Sequence, residues 1–196
     1  MKRLSLGLFT IMVVGACATQ RALPPTVVDI NPRRGLTLSV DLNVTIFDGR
    51  ISPSQSESLK SALFDQLKAA YPDVRVVRLS DASYYKDPTS NSVTIKIGIE
   101  AYNADFGSKV TAGIGTIGGV LVTGMVPEGT WNGLSALFVS IYDNRNGQEL
   151  KRTTTISKLV SKSNMYGYAT ADAALREAYE STVRDLLFFT DAALMK

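Results

Sequence analysis

Histidine is missing from this chain altogether, and cysteine occurs once, at Cys17, in 196 residues. Without an imidazole there is no His-based catalytic triad, and a single sulfur cannot build a zinc site of the usual Cys/His kind. Carboxylate or Ser/Lys chemistry is all that the composition leaves to an enzyme. A large charge excess is missing too: 21 Lys and Arg stand against 18 Asp and Glu. That balance, without basic runs, argues against nucleic acid as a partner.

What is present begins at the amino terminus. Lys2 and Arg3 precede an apolar run, Leu4 to Val14, interrupted only by Ser5, Gly7 and Thr10, and the small residues Gly15 and Ala16 lead to Cys17. A basic start, a short apolar core and a small-residue exit describe a secretory signal that is too short for a membrane-spanning helix. The sequence Val14-Gly15-Ala16-Cys17 resembles the lipobox of bacterial lipoproteins. The resemblance implies cleavage between Ala16 and Cys17, a diacylglyceryl thioether on the Cys17 sulfur and an acyl chain on the new amino terminus. A lone thiol entering an oxidising compartment is a liability unless it is consumed. Acylation consumes it, which also removes thiol catalysis. The competing reading is an ordinary signal whose exit happens to carry a cysteine.

Removal of residues 1–16 from the 196-residue chain leaves 180, enough for one domain with a sizeable core. Loss of Lys2 and Arg3 brings the mature balance to 19 basic against 18 acidic residues. Residues 17–35 then read as the lipidated cysteine followed by an extended tether, because Pro24, Pro25 and Pro32 interrupt helix. At about 3 Å per residue such a tether holds a domain roughly 50 Å from its lipid. Arg33 and Arg34 read as a solvated linker end; contact with anionic head groups is the alternative, at about 1 kcal/mol each. Ala18 stands where lipoprotein sorting rules place Asp for inner-membrane retention, so the same resemblance implies the outer membrane, with the domain facing the periplasm.

Residues 36–196 read as a single α+β domain. Leu36, Leu38, Val40, Leu42, Val44 and Ile46 alternate with polar residues, which predicts a long strand with one buried face ending near Asp48-Gly49. Ser52-Pro53 with Gln55 predicts a capped helix start. Leu59, Leu63, Leu67 and Ala70 recur at helical spacing until Pro72 stops them. Val74, Val76, Val77 and Leu79 form a short strand. Val93 to Tyr102 alternates again, a second half-buried strand, and Leu137, Val139 and Ile141 continue the pattern after Trp131. Asn146-Gly147 marks a hairpin turn, and a return strand runs from near Glu149-Leu150 through Ile156 toward Val160. The last element is a helix capped at Thr170 or Asp172, with Leu175, Ala178, Tyr179, Val183 and Leu186 on its buried side. Asp172, Arg176, Glu180 and Arg184 lie four apart, which makes them solvated helix pairs rather than a carboxylate cluster. The sum is an antiparallel or mixed sheet of about five strands with two helices packed on one face, in the order strand, helix, four strands, helix.

Between the third and fourth strands lies a glycine-rich insert. Val110 to Pro127 carries no charge and contains Gly113, Gly115, Gly118, Gly119 and Gly124. Gly113 to Gly118 matches the dinucleotide fingerprint GxGxxG, but the glycines that follow and Pro127 leave little room for the helix that motif needs. Gly115 and Gly119 match the GxxxG of membrane helices, although five glycines in so short a stretch make a poor spanning helix. Three readings remain: contact with the bilayer, including an inserted β-hairpin; a backbone-accessible contact surface for a partner or a second copy; and a strand or short helix tucked against its own sheet. The aromatics Tyr84, Tyr85, Trp131, Tyr166 and Tyr168 fall in predicted loops. They raise a glycan- or lipid-binding alternative, the competing reading being that they cover the edge of the core.

From about Leu36 to Met195 the layout, together with the lipobox, is similar to a group of small envelope lipoproteins. That group comprises the periplasmic domain of the curli-secretion lipoprotein, the amino-terminal domain of the Tol-system propeller protein and the short YajG-type lipoproteins. The resemblance implies an adaptor or assembly role rather than an enzyme. It implies no cofactor beyond the lipid on Cys17, and as partners the membrane plus an envelope protein or further copies of the chain. The expected contact region is Gly113 to Gly124 with Trp131. The runner-up is a subunit of an oligomeric secretion or surface-appendage complex with the insert in a ring or pore.

Overall fold

Val40, Leu42 and Val44 all turn inward from β1 (Ser39–Ile46), as strict alternation requires. The computed structural model describes residues 25, 27–78, 92–107, 129–143, 145, 150–163 and 167–195. In helix α1 (Pro53–Ala70) the Ser52 hydroxyl accepts from the Gln55 backbone N–H at 3.4 Å, and the Gln55 side chain accepts from the Ser52 N–H at 2.9 Å. That reciprocal box with Pro53 in the first turn is the start the sequence announces. The helix buries Leu59, Leu63, Leu67 and Ala70. It closes with the Tyr71 N–H on the Leu67 carbonyl, just before Pro72.

The chain continues through β2 (Arg75–Arg78), β3 (Ser92–Phe106), β4 (Thr130–Asp143), β5 (Leu150–Ser163) and α2 (Tyr168–Leu194). The five strands make one mixed sheet in the order β2-β1-β3-β4-β5, with β1 parallel to both β2 and β3 and the rest antiparallel. α1 packs on β1 and β2, and α2 lies across β3, β4 and β5. Both helices meet one continuous core through Val40, Leu42, Ile95, Ile97, Leu137, Val139, Leu175 and Val183. The expected α+β sheet with two helices on one face is the fold observed.

A β-bulge between Ile99 and Ala101 reverses the parity of β3. Before it Val93, Ile95, Ile97 and Ile99 join the helix-side core; after it Tyr102 and Ala104 do. Gly133 then lets α2 approach β4 closely, since a Cβ there would run into the Ala174 backbone.

Several sequence expectations need correction. β3 is not half-buried: as the central strand it also hides Thr94, Glu100 and Asn103. α2 begins at Tyr168 behind Gly167, which has φ +56°, so neither Thr170 nor Asp172 is its cap. Trp131 is not in a loop but in β4, 4% exposed. The folded domain starts before residue 36: Val28 belongs to the core, and Leu36 and Leu38 pack on it ahead of β1. Residues 1–24, Leu79, Tyr84, Tyr85, the insert glycines, the Asn146-Gly147 turn and Tyr166 lie outside the described residues, although Asp143 and Leu150, on either side of that turn, are paired.

Candidate functional site

Three features emerge, and the first is an amino-terminal arm. The Gln66 side chain, fully buried on α1, accepts from the Val28 N–H at 2.6 Å and donates to the Val28 carbonyl at 3.1 Å. One amide therefore satisfies both backbone groups of an otherwise unpaired extended residue. Farther on, the Arg33 N–H donates to the Ala70 carbonyl at 2.7 Å, and its guanidinium grips Asp191 of α2, Nη2 to Oδ2 at 2.7 Å and Nε to both oxygens at 3.0 Å. The Tyr71 hydroxyl donates to the same carboxylate at 2.6 Å. The Tyr71 phenol is pushed well above its ordinary range, by burial first and by Asp191 second. Arg33 is thus a clamp between the two helices rather than a solvated linker end.

The second feature is an aromatic rim where β3 leaves the sheet and β4 returns. The Trp131 ring stands 5.2 Å from Phe106 and 5.8 Å from Tyr168. Trp131 is buried, while Phe106 is 44% and Tyr168 50% exposed. Beneath them Tyr102 and Tyr179 meet edge to face at 5.6 Å, and burial raises the pKa of both phenols. Of the five aromatics read as loop residues, Trp131 does what the competing reading said: it seals the edge of the core.

The third is a groove of about 320 Å³ on the helix-free face. Its described lining includes Asn43 and Thr45 of β1, Lys96 and Gly98 of β3, Phe138, Ser140 and Tyr142 of β4, and Lys151 of β5. The ammonium groups of Lys96 and Lys151 sit 5.2 and 5.5 Å from the Tyr142 ring centre. Gly98 makes room for the Phe47 ring, which lies where a Cβ would project. The sequence held a signal for this groove: Phe138 and Tyr142 occupy positions of β4 that alternation assigns to the polar side.

Farther along that face Asp48, 3% exposed, has its carboxylate taken up by Arg50, Nε to Oδ1 at 2.8 Å and Nη2 to Oδ2 at 2.9 Å. Both oxygens are committed, so Asp48 is a structural partner rather than a general base. Burial holds the neighbouring Asp105 carboxyl above its ordinary range, with Arg50 opposing. On α2 the Arg184 and Glu180 pair at 3.8 Å is an exposed i,i+4 contact of the kind expected. Among the described residues no helix is long and apolar enough to cross a membrane.

No protein-family model matches the chain, and no curated protein does. Solved structures resemble it distantly. Protein XCC0632 from Xanthomonas campestris, of family DUF330, is 12% identical over 85% of this chain and 92% of that one, with a TM-score of 0.49. The hypothetical protein CT253 from Chlamydia trachomatis is 8% identical over 80% and 98%, with a TM-score of 0.45. The PelC dodecamer from Paraburkholderia phytofirmans is 11% identical over 84% and 98%, with a TM-score of 0.38. Likenesses this remote bring no activity or assembly with them, so function is argued from the residues.

Proposed function

We propose that this is a lipid-anchored, non-catalytic binding protein of the bacterial envelope, held at the outer membrane through Cys17 and acting by contact with another envelope protein. The observation that carries the reading is Val14-Gly15-Ala16-Cys17 at the end of a secretory signal. The docked arm supports it. Only ten residues lie between Cys17 and Val28, the first residue of the core, a span of at most about 40 Å. The domain is therefore confined to a thin layer above its lipid, where even a modest contact gains a high effective concentration. The contact region is the uncharged stretch 110–127 with Gly113, Gly115, Gly118, Gly119 and Gly124, which in sequence joins β3 to β4 at the edge where Phe106 and Tyr168 expose their rings. Trp131, being buried, acts only as the prop beneath those rings, which also weakens a glycan reading built on it.

Labelled palmitate fed to cells expressing the chain should mark the wild type and leave Cys17→Ser unmarked and out of the outer-membrane fraction. An unlabelled wild type, or one that keeps its leader, overturns the anchoring. In the same cells crosslinking should capture a partner that the 110–127 deletion loses; capture that survives the deletion overturns the contact region.

A further inference from the structure

We propose that the outer edge of β5 is the docking site for an extended acidic segment of another protein, which joins the sheet as an added strand beside Phe188. The site rests neither on the insert nor on the lipid anchor. The two edges of the sheet differ. β2 closes one side with four residues, too short to offer much pairing. β5 closes the other with fourteen, well beyond the usual strand of about 5–6. Its ladder to β4 runs from Leu150 to Ser163 without a bulge or a proline. About half of its backbone N–H and C=O groups therefore point away from β4. Among the described residues no strand or turn bonds to that outer row.

The side chains decide what pairs there. On the helix side of β5, Ile156 enters the core, Arg152 donates to the Ala192 carbonyl at 2.7 Å and Lys158 pairs with Asp185 at 2.7 Å. Phe188 stands between those two tie points on α2, three residues after Asp185 and four before Ala192. It is 77% exposed, the most of any large apolar side chain among the described residues. A strand added to β5 brings its own side chains up along this flank of α2. Apolar residues fit opposite Thr154 and Ile156, beside Phe188, and carboxylates fit opposite Arg152 and Lys158. Both cations already have contacts, and those contacts admit a carboxylate. Arg152 bonds a neutral carbonyl, which does not cancel its charge, and Asp143 nearby is gripped by Arg145 at 2.8 Å. Lys158 and Asp185 form a surface pair, 36% and 50% exposed. Such pairs contribute little, and an ammonium has donors for a second carboxylate.

A second copy of the chain is the rival occupant, and charge disfavours it. β5 holds Lys151, Arg152, Lys158 and Lys162 and no acid, so two copies laid edge to edge set like charges along one another. Basic residues on a long edge keep copies apart, and the same residues select an acidic partner.

The test is fluorescence anisotropy of the full chain in detergent with the labelled nonapeptide Glu-Glu-Thr-Val-Thr-Val-Thr-Glu-Glu. Its acids and valines match the helix-side spacing from Arg152 to Lys158 in either strand direction. Saturable binding with a Kd below about 1 mM is expected. The same peptide with alternate amides N-methylated should not bind, and the version with Lys for each Glu should bind at least about fivefold more weakly. Arg152→Glu/Lys158→Glu should reverse the order of those two charged peptides, and Phe188→Ala, a surface change, should weaken the acidic one about threefold or more. No saturable binding, an N-methylated peptide that binds as well, a Lys peptide that binds as tightly or a Phe188→Ala chain that binds like wild type each overturns the assignment. So does a dimer, seen by light scattering of the same sample, that the acidic peptide disperses: the edge then belongs to a second copy.

Discussion

Gln66→Ala should release the amino-terminal arm without unfolding the sheet. Gln66 is fully buried and makes two hydrogen bonds, both to the backbone of Val28. Truncation leaves the Val28 N–H and carbonyl without partners in a site where Val28 is 5% exposed, and each orphaned group costs about 1–3 kcal/mol. The arm can escape part of that penalty by peeling into water, so the net loss should be about 2–4 kcal/mol, with a fall in Tm of about 6–12 °C. Peeling exposes the peptide bonds after Arg33 and Arg34. Limited trypsin digestion of the folded variant should therefore cut there at least about tenfold faster than in wild type, since cleavage follows the open population. Hydrogen exchange at the Val28 amide should accelerate in parallel. Gln66→Glu puts a carboxylate against the Val28 carbonyl in a fully buried site, so at neutral pH it should destabilise at least as much as alanine. An alanine variant whose Val28 amide stays protected and whose arm resists trypsin would refute the staple.

Gly133→Ala drives a methyl into the Ala174 backbone, a contact no rotamer relieves; denaturant unfolding should show a loss of about 1–3 kcal/mol with the m-value unchanged. Tyr179→Phe removes a buried hydroxyl that has no hydrogen-bond partner and should raise stability at neutral pH by about 1 kcal/mol. The pH dependence has a definite sign. Burial raises the phenol pKa of Tyr71, Tyr102 and Tyr179 above the ordinary value of 10.0, so the folded state keeps protons that the unfolded chain gives up. Stability should be full below pH 10 and fall above it by about 1.4 kcal/mol per pH unit for each tyrosine. Tyr179→Phe should make that alkaline decline shallower, and a slope equal to wild type would argue against its burial.

The periodic parts of the chain were legible. Leu59, Leu63 and Leu67 announced α1, the Ser52-Pro53-Gln55 box fixed its start, and the alternation from Val40 to Val44 gave β1 its buried face. Three errors share a cause: local pattern carries no information about what packs over it. Residues 28–35 have no period and three nearby prolines, so they read as a tether, yet a single glutamine 38 positions along the chain holds Val28 down. Trp131 follows a glycine-rich stretch and read as a loop aromatic, yet the 13 cross-strand pairs that join β3 and β4 begin at Phe106 and Trp131. The groove does not follow from alternation alone, because Leu137, Val139 and Ile141 define the buried side of β4 while Phe138 and Tyr142 lie on its other side.

The length of α2 sets how these features can work together. The arm is clamped at Asp191, near the carboxyl end of the helix, and the rim is built on Tyr168, its first residue. They lie twenty-three positions apart along the helix, about 35 Å at 1.5 Å per residue. On the proposed anchoring, β3 ends and β4 begins at the end of the sheet remote from the point where the lipid-bearing arm joins it. The groove lies nearer the arm, because Arg145, two residues past Asp143 at the end of β4, donates to the Ala193 and Leu194 carbonyls that finish α2. Freeing the arm with Asp191→Ala should disturb the anchor end alone: trypsin should cut after Arg33, while crosslinking through the insert persists. Loss of both together would mean that the two ends are coupled through α2 rather than merely joined by it.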